Sequence, residues 1–391
     1  MSISTNPLSY CTNVHPGRSI TEVERGLDNY TIRVRDRYGH PLAAGLWLSQ
    51  PVVRELFNSP DRLPRFAADL SARGLTCYTM NAFPYGDFHD ARVKENAYIP
   101  DWSHPDRLEY TTQCARILAT LLPEEMDGSL STVPLGFKNF EHPNDLLPRS
   151  IEQLIELARR LDRLHQNTGR LIRLAIEPEP FCLLETTSET IEFFELLRQQ
   201  AVELNELELV NRYLGVCYDV CHQAVEFEDI SESISALNRS GVRINKVHIT
   251  CALELDHPAN NPEGLRALVR YAEPRYLHQT LARTNSGQIL RVVDLTKQLA
   301  IDPEPSFRDA DAWRIHFHVP VDAESLGPLR TTRTELKQAL TAVADLDYAP
   351  HLEVETYTWE VLPNGQTADL VEGLTQELTA TWGLLTDLTG T

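Results

Sequence analysis

The sequence predicts an α/β protein with a closed (β/α)8 barrel, and three observations lead to that prediction. The chain is 391 residues long, which suits one barrel with insertions, so residues 1–391 are expected to form a single domain. Hydrophobic residues make up 42% of the chain and charged residues 24%, the balance of a folded globular protein. Short apolar runs alternate with stretches of helical periodicity, and repeated strand and helix units predict parallel strands joined by crossover helices.

Eight apolar runs, rich in β-branched or aromatic residues, are the predicted strands. In chain order they are residues 8–12, 42–48, 75–82, 132–137, 171–176, 213–218, 242–249 and 352–358. Amphipathic segments between them are the predicted helices: 63–72, 107–122, 150–165, 189–204, 230–237, 265–272, 332–344 and 369–388. In the clearest of these, Ser150 and Gln153 form a capping pair at the start, and Gly169 is placed to end the helix.

A long interval separates the seventh predicted strand from the eighth. We interpret residues 252–345 as an insertion that contains helical segments, a loop rich in Pro, Asn and Asp, and the apolar run 313–321. Connections that follow barrel strands lie on the catalytic face, so the insertion is expected to cover the pocket. A separate small domain is the alternative.

Charge and composition exclude several classes of function. The formal charge is -20, from 36 Lys and Arg against 56 Asp and Glu, so the chain is not expected to bind nucleic acid. No apolar run is long enough to insert into a membrane, and the N-terminus lacks a signal peptide, which favours a cytoplasmic protein with reduced cysteines. Motifs of nucleotide-binding loops and serine hydrolases are absent.

Side chains that bind metals follow four successive predicted strands. They are Glu177 after strand five, Asp219 and His222 after strand six, His248 on strand seven, and Glu353 and Glu355 on strand eight. The carboxyl ends of the strands meet at one face of a barrel, so these groups are expected to lie together. Carboxylates with imidazole are a mixed oxygen and nitrogen ligand set for a divalent metal ion.

Each of these residues has a plainer interpretation when it is taken alone. His248 fits a hydrogen-bonded core histidine, and Glu177 fits a helix cap. The conjunction of four consecutive strand ends is what favours the metal site. At the first strand, Asn13 and His15 precede Pro16 and Gly17, and this pair either orients a hydroxylated ligand or forms a hydrogen-bonded turn.

The pattern of Glu, Asp-x-x-His, His and Glu on strands five to eight resembles the xylose-isomerase-like TIM barrels, a superfamily of sugar isomerases, ketose 3-epimerases and endonuclease IV. The resemblance implies one divalent ion, Mn²⁺, Mg²⁺ or Zn²⁺, on Glu177, Asp219, His248 and Glu355. It further implies that Glu177 and Glu355 act as acid and base and that His222 contacts the substrate. Glu355 is preferred to Glu353 because Glu355-Thr356-Tyr357 is similar to the superfamily's Glu-Ser/Thr-aromatic pattern.

Further segments resemble the EboE-like metabolite-traffic family. They are residues 8–17, 80–86, 177–187, 316–320 and 353–359, and the resemblance extends over nearly the whole chain. It implies a role in the export of a secondary-metabolite precursor, with other products of an ebo-type operon as partners. The family has no settled reaction, so the resemblance leaves the chemistry open.

Endonuclease IV relatives carry three metal ions, so the sequence is compared with the ligands that a three-metal site needs. His316 and His318 are spaced for a second metal site, or they form the polar face of a buried strand. Histidines on strands three and four, which a trinuclear site also needs, are missing, since strand three offers Asn81 instead. A single-metal site without abasic-site cleavage is therefore favoured.

The sequence thus predicts metal-dependent isomerisation or epimerisation of a small hydroxylated metabolite by proton transfer. Two alternatives remain: a barrel that binds its metabolite without turnover, and a metal-dependent phosphoester hydrolase. Pairing of barrels into a homo-oligomer is implied by the superfamily resemblance.

Overall fold

The structure, a computed structural model, describes residues 4–363 and 369–389. Eight parallel strands close into a barrel, in the spatial order β1-β14-β7-β6-β5-β4-β3-β2, which confirms the predicted (β/α)8 fold. The barrel strands are β1 (Leu8–Cys11), β2 (Leu42–Trp47), β3 (Thr79–Asn81), β4 (Gly128–Thr132), β5 (Ile172–Ile176), β6 (Leu214–Asp219), β7 (Ile244–Ile249) and β14 (His351–Val354).

Helices follow most of the barrel strands, and three more, α11 to α13, lie in the insertion. They are α1 (Ile20–Gly26), α2 (Ile32–Tyr38), α3 (Gln50–Phe57), α4 (Arg62–Ala72), α5 (Pro105–Leu121), α6 (Leu146–Thr168), α7 (Thr187–Glu203), α8 (Leu207–Tyr213), α9 (Val220–Val225), α10 (Ile230–Arg239), α11 (Pro262–Leu268), α12 (Lys297–Ile301), α13 (Pro305–Arg308), α14 (Arg333–Ala344) and α15 (Leu370–Thr389). Within the described residues, no helix combines the length and apolarity needed to cross a membrane.

The fourth strand is Gly128–Thr132, so the prediction of residues 132–137 was wrong. The hydrophobic criterion did not identify this strand, because small polar residues of the strand face the barrel interior. Ser129 Oγ lies 2.9 Å from Thr79 Oγ1 and 2.8 Å from His351 Nδ1, which satisfies these buried groups inside the barrel. The apolar run that follows β4 forms the connection to the next helix instead.

Other predicted boundaries also differ from the structure. Strand three is only Thr79–Asn81, and strand eight ends at Val354 rather than at residue 358. Helix α6 begins at Leu146, with Asp145 at its N-cap, so Ser150 is a buried residue inside the helix and not its cap. Gly169 does end that helix, in the left-handed conformation at φ 71°.

The insertion between β7 and β14 carries a second, antiparallel sheet of six strands in the order β10-β9-β11-β8-β13-β12. Its strands are β8 (Cys251–Asp256), β9 (Thr280–Arg283), β10 (Ile289–Val292), β11 (Ala312–Val319), β12 (Ser325–Leu326) and β13 (Leu329–Thr331). Only Thr250 separates β7 from β8, so the chain leaves the barrel and enters the second sheet directly. The second sheet therefore starts at the carboxyl end of β7, where the candidate site lies.

Candidate metal centre

The predicted metal ligands lie together at the carboxyl ends of β5, β6, β7 and β14. The backbone places each of them: Glu177 follows β5, Asp219 ends β6, and His248 lies within β7. Asp219 is also the N-cap of α9, where its Oδ1 accepts a hydrogen bond from the His222 backbone N–H. The Thr250 hydroxyl donates to the same oxygen at 2.7 Å. This leaves Oδ2 of Asp219 without a hydrogen-bond partner.

The four ligand-type side chains converge on one point. His248 Nδ1 lies 3.1 Å from Glu177 Oε1, 3.3 Å from Asp219 Oδ2 and 3.0 Å from Glu355 Oε2. One ligand atom from each of the four residues lies within 4.8 Å of the others, and all four residues are buried. Oxygen atoms of Glu177 and Asp219 remain buried without hydrogen-bond partners. Buried, unpaired carboxylate oxygens around one imidazole nitrogen fit a divalent cation.

Burial and the neighbouring charges give the two glutamates different pKa values. Burial raises the pKa of Glu177 to about 7, against the opposing effect of His248. Burial also disfavours ionisation of Glu355, but the adjacent His248 outweighs it and lowers the pKa to about 2. For His248, burial favours the neutral ring, yet the surrounding Cys217, Glu177 and Glu355 raise the pKa well above its ordinary value. The site therefore concentrates negative charge and attracts a positive one.

Glu353 lies beneath the cluster rather than in it. Its Oε1 is 2.6 Å from Lys246 Nζ and 3.4 Å from His248 Nε2, and its Oε2 accepts a hydrogen bond from the Ser9 hydroxyl at 3.0 Å. Gly45 makes room for it, because a Cβ atom there would lie 1.5 Å from Glu353 Oε2. Glu353 therefore holds the far side of the His248 ring, while Glu355 belongs to the ligand cluster.

Two asparagines hold Glu355. Asn13 Nδ2 donates to Glu355 Oε1 at 2.8 Å, and Asn81 Nδ2 donates to the same oxygen at 2.7 Å. Of the predicted pair at strand one, only Asn13 lines the cavity above the cluster. His15 does not line it; its Nε2 hydrogen bonds to Tyr10 OH and its ring stacks on Tyr30 at 4.6 Å. His15 therefore lies outside the lining of this cavity.

His222, His316 and His318 form a second cluster beside the first. His316 Nε2 lies 3.1 Å from His222 Nε2 and 3.2 Å from His318 Nε2. Asp219 Oδ2, at 4.0 Å from both His222 Nε2 and His318 Nε2, lies between the two clusters. The sequence pattern alone had left His316 and His318 open as the polar face of a strand. In the structure they lie on β11 and face the barrel cluster.

The three histidines direct lone pairs at one another. His222 Nδ1 donates to Pro178 O at 3.0 Å, and His316 Nδ1 donates to Gln279 Oε1 at 2.7 Å. His318 Nδ1 donates to Glu355 O at 2.7 Å. A neutral imidazole that donates from Nδ1 has its lone pair on Nε2. Burial lowers the pKa of His222 to about 4 and that of His316 well below its ordinary value. Three facing lone pairs are the arrangement that a cation stabilises.

A cavity that is open to solvent lies above both clusters. Its floor includes Glu177, Glu355 and the histidines, and the sequence had not singled out several other lining side chains. Glu179, two residues after Glu177, accepts hydrogen bonds from Tyr98 OH at 2.6 Å and Gln279 Nε2 at 3.0 Å. Burial raises the pKa of Glu179 to about 8. Its place in the Glu-Pro-Glu-Pro segment was the signal available, whereas nothing in the sequence brings Gln279 to this point.

No family model matches the chain, and no curated protein matches it. Solved structures share its fold. An L-ribulose 3-epimerase is 14% identical with a TM-score of 0.51, over 100% of this chain and 96% of that one. A D-tagatose 3-epimerase-like protein is 11% identical with a TM-score of 0.52, over 98% and 99%. A xylose isomerase-like TIM barrel protein from Mycobacterium smegmatis in complex with magnesium is 13% identical with a TM-score of 0.51, over 99% of both chains.

A further match is the IOLI protein with a bound zinc atom, at 11% identity and a TM-score of 0.51, over 98% of this chain and 99% of that one. At these identities the matches establish architecture alone. The chain has the fold of the xylose-isomerase-like TIM barrels.

Proposed function

We propose that the protein is a metal-dependent enzyme that isomerises or epimerises a small hydroxylated metabolite by moving a proton at a carbon next to a carbonyl. The observation that carries the proposal is the buried cluster of Glu177, Asp219, His248 and Glu355, with one ligand atom from each within 4.8 Å of the others. Two structural neighbours are an L-ribulose 3-epimerase and a D-tagatose 3-epimerase-like protein, which supports this class of chemistry.

The four residues would hold one divalent ion, and the donor set suits Mn²⁺, Mg²⁺ or Zn²⁺. When bound, such an ion polarises a substrate carbonyl and stabilises the negative charge that develops when the neighbouring carbon loses its proton. Structural neighbours that bind zinc and magnesium support the presence of a metal.

In this proposal Glu177 and Glu355 exchange the proton. Asn13 and Asn81 both donate to Glu355 Oε1, which leaves Oε2 to face the cluster. Glu353 and Lys246 act on the far side of His248 and keep Nδ1 of that ring directed at the carboxylates. His222 lines the cavity where a substrate would lie.

A second cation on His316 and His318 is part of the proposal, with His222 as its third nitrogen ligand. Three imidazoles favour Zn²⁺ over Mg²⁺. A pair of ions that shares Asp219 would also suit hydrolysis of a phosphoester, the second candidate function, which the histidine cluster favours. A barrel that binds its metabolite without turnover is the remaining alternative.

The resemblance to the EboE-like metabolite-traffic family supports a cellular role for the same site. In this setting the protein is cytoplasmic and acts on, or carries, a secondary-metabolite precursor before export. Its partners are other products of an ebo-type operon or a second copy of the barrel.

Deuterium exchange tests the proposed reaction. The manganese-loaded protein is incubated in D₂O with D-fructose, D-tagatose, hydroxyacetone or 2-hydroxyacetophenone, and proton NMR follows the signal next to the carbonyl. We expect exchange with at least one ketone and a loss of about 10²-fold or more in Glu177→Gln, since one acid or base group contributes that much. The matched control is Glu95→Gln, on an exposed carboxylate that pairs with Arg92.

Two results would count against the proposal. Undiminished exchange in Glu177→Gln would remove the acid and base roles. Binding of a ketone without any exchange would support the non-catalytic barrel, and release of phosphate from p-nitrophenyl phosphate would support the hydrolase.

A further inference from the structure

The cavity has polar groups at one end and apolar walls along the rest. Most of its polar lining residues come from the strand ends and from β11, and they are carboxylates, asparagines and histidines. Lys94 and Tyr98 come from the segment between β3 and α5. The loops beyond the strand ends and the insertion supply the apolar lining, Phe83, Pro84, Phe88, Val93, Tyr276 and Leu277. A ligand that fills the cavity therefore meets hydrogen-bonding groups mainly at one end.

Three aromatic rings pack into one wall. The ring centroids of Phe88 and Tyr276 are 5.0 Å apart, those of Phe88 and Tyr357 are 5.2 Å apart, and those of Tyr276 and Tyr357 are 4.9 Å apart. The Tyr276 hydroxyl donates to the Phe88 carbonyl at 3.1 Å, so it is already used within the wall. The rings meet at interplanar angles of 40°, 62° and 78°, so they form an angled apolar wall that offers both ring faces and ring edges to a ligand.

Several side chains that could serve a chain of hydroxyl groups are engaged within the protein, although Asn13 Oδ1 has no hydrogen-bond partner. The Tyr98 hydroxyl donates to Glu179, and its ring stacks on Phe137 at 4.7 Å. The side-chain amides of Asn13 and Asn81 both donate to Glu355. A free sugar bound here would exchange its hydrogen bonds to water for contact with aromatic carbon, which costs free energy for each unpaired hydroxyl.

Away from the proposed metal site, the cavity offers an anionic ligand no unpaired positive charge. Glu179 contributes a further buried carboxyl group there. Among the described residues that line the cavity, Lys94 is the one cation, and its Nζ is 2.7 Å from Asp294 Oδ2 and donates to Glu273 O at 3.1 Å. A phosphate group would find no unpaired lysine or arginine on these walls.

We propose that the ligand is an uncharged molecule with neighbouring oxygen atoms at one end and an aromatic or otherwise apolar body at the other, rather than a free sugar or a sugar phosphate. The oxygen-bearing end rests on the proposed function, since the metal ion would bind it. The apolar body rests on the cavity walls alone.

Three ketones with the same hydroxyketone head and different bodies test the inference. Isothermal titration calorimetry compares 2-hydroxyacetophenone, hydroxyacetone and dihydroxyacetone phosphate on the manganese-loaded protein. We expect the phenyl ketone to bind at least about tenfold more tightly than hydroxyacetone, because a phenyl group buries apolar area against the walls. We expect the phosphate to bind no more tightly than hydroxyacetone. The inference would be overturned if hydroxyacetone or dihydroxyacetone phosphate bound as tightly as 2-hydroxyacetophenone or more tightly. The absence of any binding of 2-hydroxyacetophenone would also overturn it.

Variants of the wall localise the effect. Phe88→Ala should weaken binding of 2-hydroxyacetophenone about tenfold and change that of hydroxyacetone less than about twofold, because only the phenyl body contacts this ring. Phe88→Leu keeps an apolar side chain should the alanine variant fail to fold, and it should weaken the phenyl ketone less. Phe57→Ala, an aromatic of α3 that packs under Arg116 outside the cavity, is the matched control. Equal loss of both ketones in the Phe88 variants would contradict the proposal.

Acetophenone separates this inference from the proposed function, because it has the phenyl body without the chelating hydroxyl. A protein that takes up no metal but binds acetophenone in a Phe88-dependent manner would refute the metal chemistry and support the apolar body. A protein that takes up metal but binds hydroxyacetone or the phosphate more tightly than the phenyl ketone would support the metal chemistry and refute the apolar body.

Discussion

Gly45 lies beneath the ligand cluster and makes room for the carboxylate of Glu353. Gly45 of β2 faces Glu353, which contacts Lys246 at 2.6 Å and the Ser9 hydroxyl at 3.0 Å. Both members of the Lys246–Glu353 pair are fully buried, so each depends on the other to offset the loss of water. The space at Gly45 thus connects the packing of the barrel interior to the orientation of His248.

Gly45→Ala is expected to displace Glu353, because the new Cβ would lie 1.5 Å from Glu353 Oε2 and 2.8 Å from Ser9 Oγ. We expect a loss of about 1–3 kcal/mol in the free energy of unfolding, as for other overpacked cores. Divalent-metal affinity should fall about 10- to 100-fold, since Glu353 supports the His248 ligand. Chemical denaturation and metal titration measure the two effects.

Gly86→Ala is the control for this substitution, because a Cβ atom at Gly86 meets nothing within 4 Å. It should leave stability and metal affinity close to those of the wild type. A Gly45→Ala protein as stable as Gly86→Ala, with the same metal affinity, would show that Glu353 tolerates the displacement.

The ligand cluster was predictable because each of its members directly follows or ends an apolar strand. His15 satisfied the same kind of rule, yet its ring stacks on Tyr30, a contact that no local pattern encodes. Asn81 ends β3, where a trinuclear site would need a histidine, and the sequence gives no sign that its amide holds Glu355. Tyr276 lies in the insertion, and its place in the cavity wall depends on long-range packing that spacing does not reveal.

At the scale of elements, the insertion contributes its own strand to the site. β11 carries His316 and His318, and it pairs with both β8 and β9 of the second sheet. The β9–β10 hairpin is joined to the barrel through Arg291, which donates to Glu226 at 2.9 Å and also pairs with Glu185. Ordering of the second sheet on the barrel therefore positions the histidine cluster.

Arg291→Met is expected to loosen the β9–β10 hairpin, because the buried Glu226 would lose its cationic partner. Hydrogen exchange of residues 280–292 should become about tenfold faster, as for the loss of a contact worth roughly 1.5 kcal/mol, while the barrel strands keep their protection. The control is Arg308→Met, on an exposed arginine that pairs with the adjacent Asp309. Unchanged exchange of the hairpin would show that Arg291 does not hold it.

Elements with strong periodicity were predicted well, and those whose buried face is polar were not. β4 was misplaced because Ser129 and Ser131 occupy the barrel interior, where the hydrophobic criterion expects apolar residues. β8 follows β7 after Thr250 alone, so the two strands look like one apolar run in the sequence. The insertion itself was predicted from its length, but its sheet order depends on pairing between distant segments.

At the scale of the whole molecule, an acidic chain buries several carboxyl groups. Burial raises the pKa values of Glu179 and Glu377 to about 8, from an ordinary value of 4.5. For an acid whose pKa is raised by folding, the contribution to stability is full below 4.5 and is lost as the pH rises through 8. These two groups therefore make the fold less stable at alkaline pH.

Buried histidines act in the opposite direction at lower pH. Burial lowers the pKa values of His15 and His351 to about 3 and that of His222 to about 4, from 6.5. The contribution of these histidines to the free energy of unfolding increases as the pH rises toward 6.5 and is constant above pH 6.5. Above pH 6.5 these three histidines no longer change the stability, whereas the buried carboxyl groups, and His248 with its raised pKa, lower it as the pH rises.

The metal-free protein should therefore lose stability between pH 6.5 and 8, the interval that the raised carboxyl and lowered histidine pKa values define. We expect the melting temperature to fall by roughly 2–10 °C over this interval, if the groups together cost a few kcal/mol. Differential scanning calorimetry in chelator measures it. A melting temperature that is constant or rises from pH 6.5 to 8 would show that the buried carboxyl groups ionise without cost.

The most direct test of the metal centre is the metal content per chain. Elemental mass spectrometry of purified protein, after removal of loosely bound ions, compares the wild type with His248→Ala and with His104→Ala, an exposed histidine of another element. We predict at least one tightly bound divalent ion per chain in the wild type and in His104→Ala, and one fewer in folded His248→Ala. A wild type that takes up no manganese or zinc when offered, or a His248→Ala protein that retains the full metal content, would contradict the metal centre.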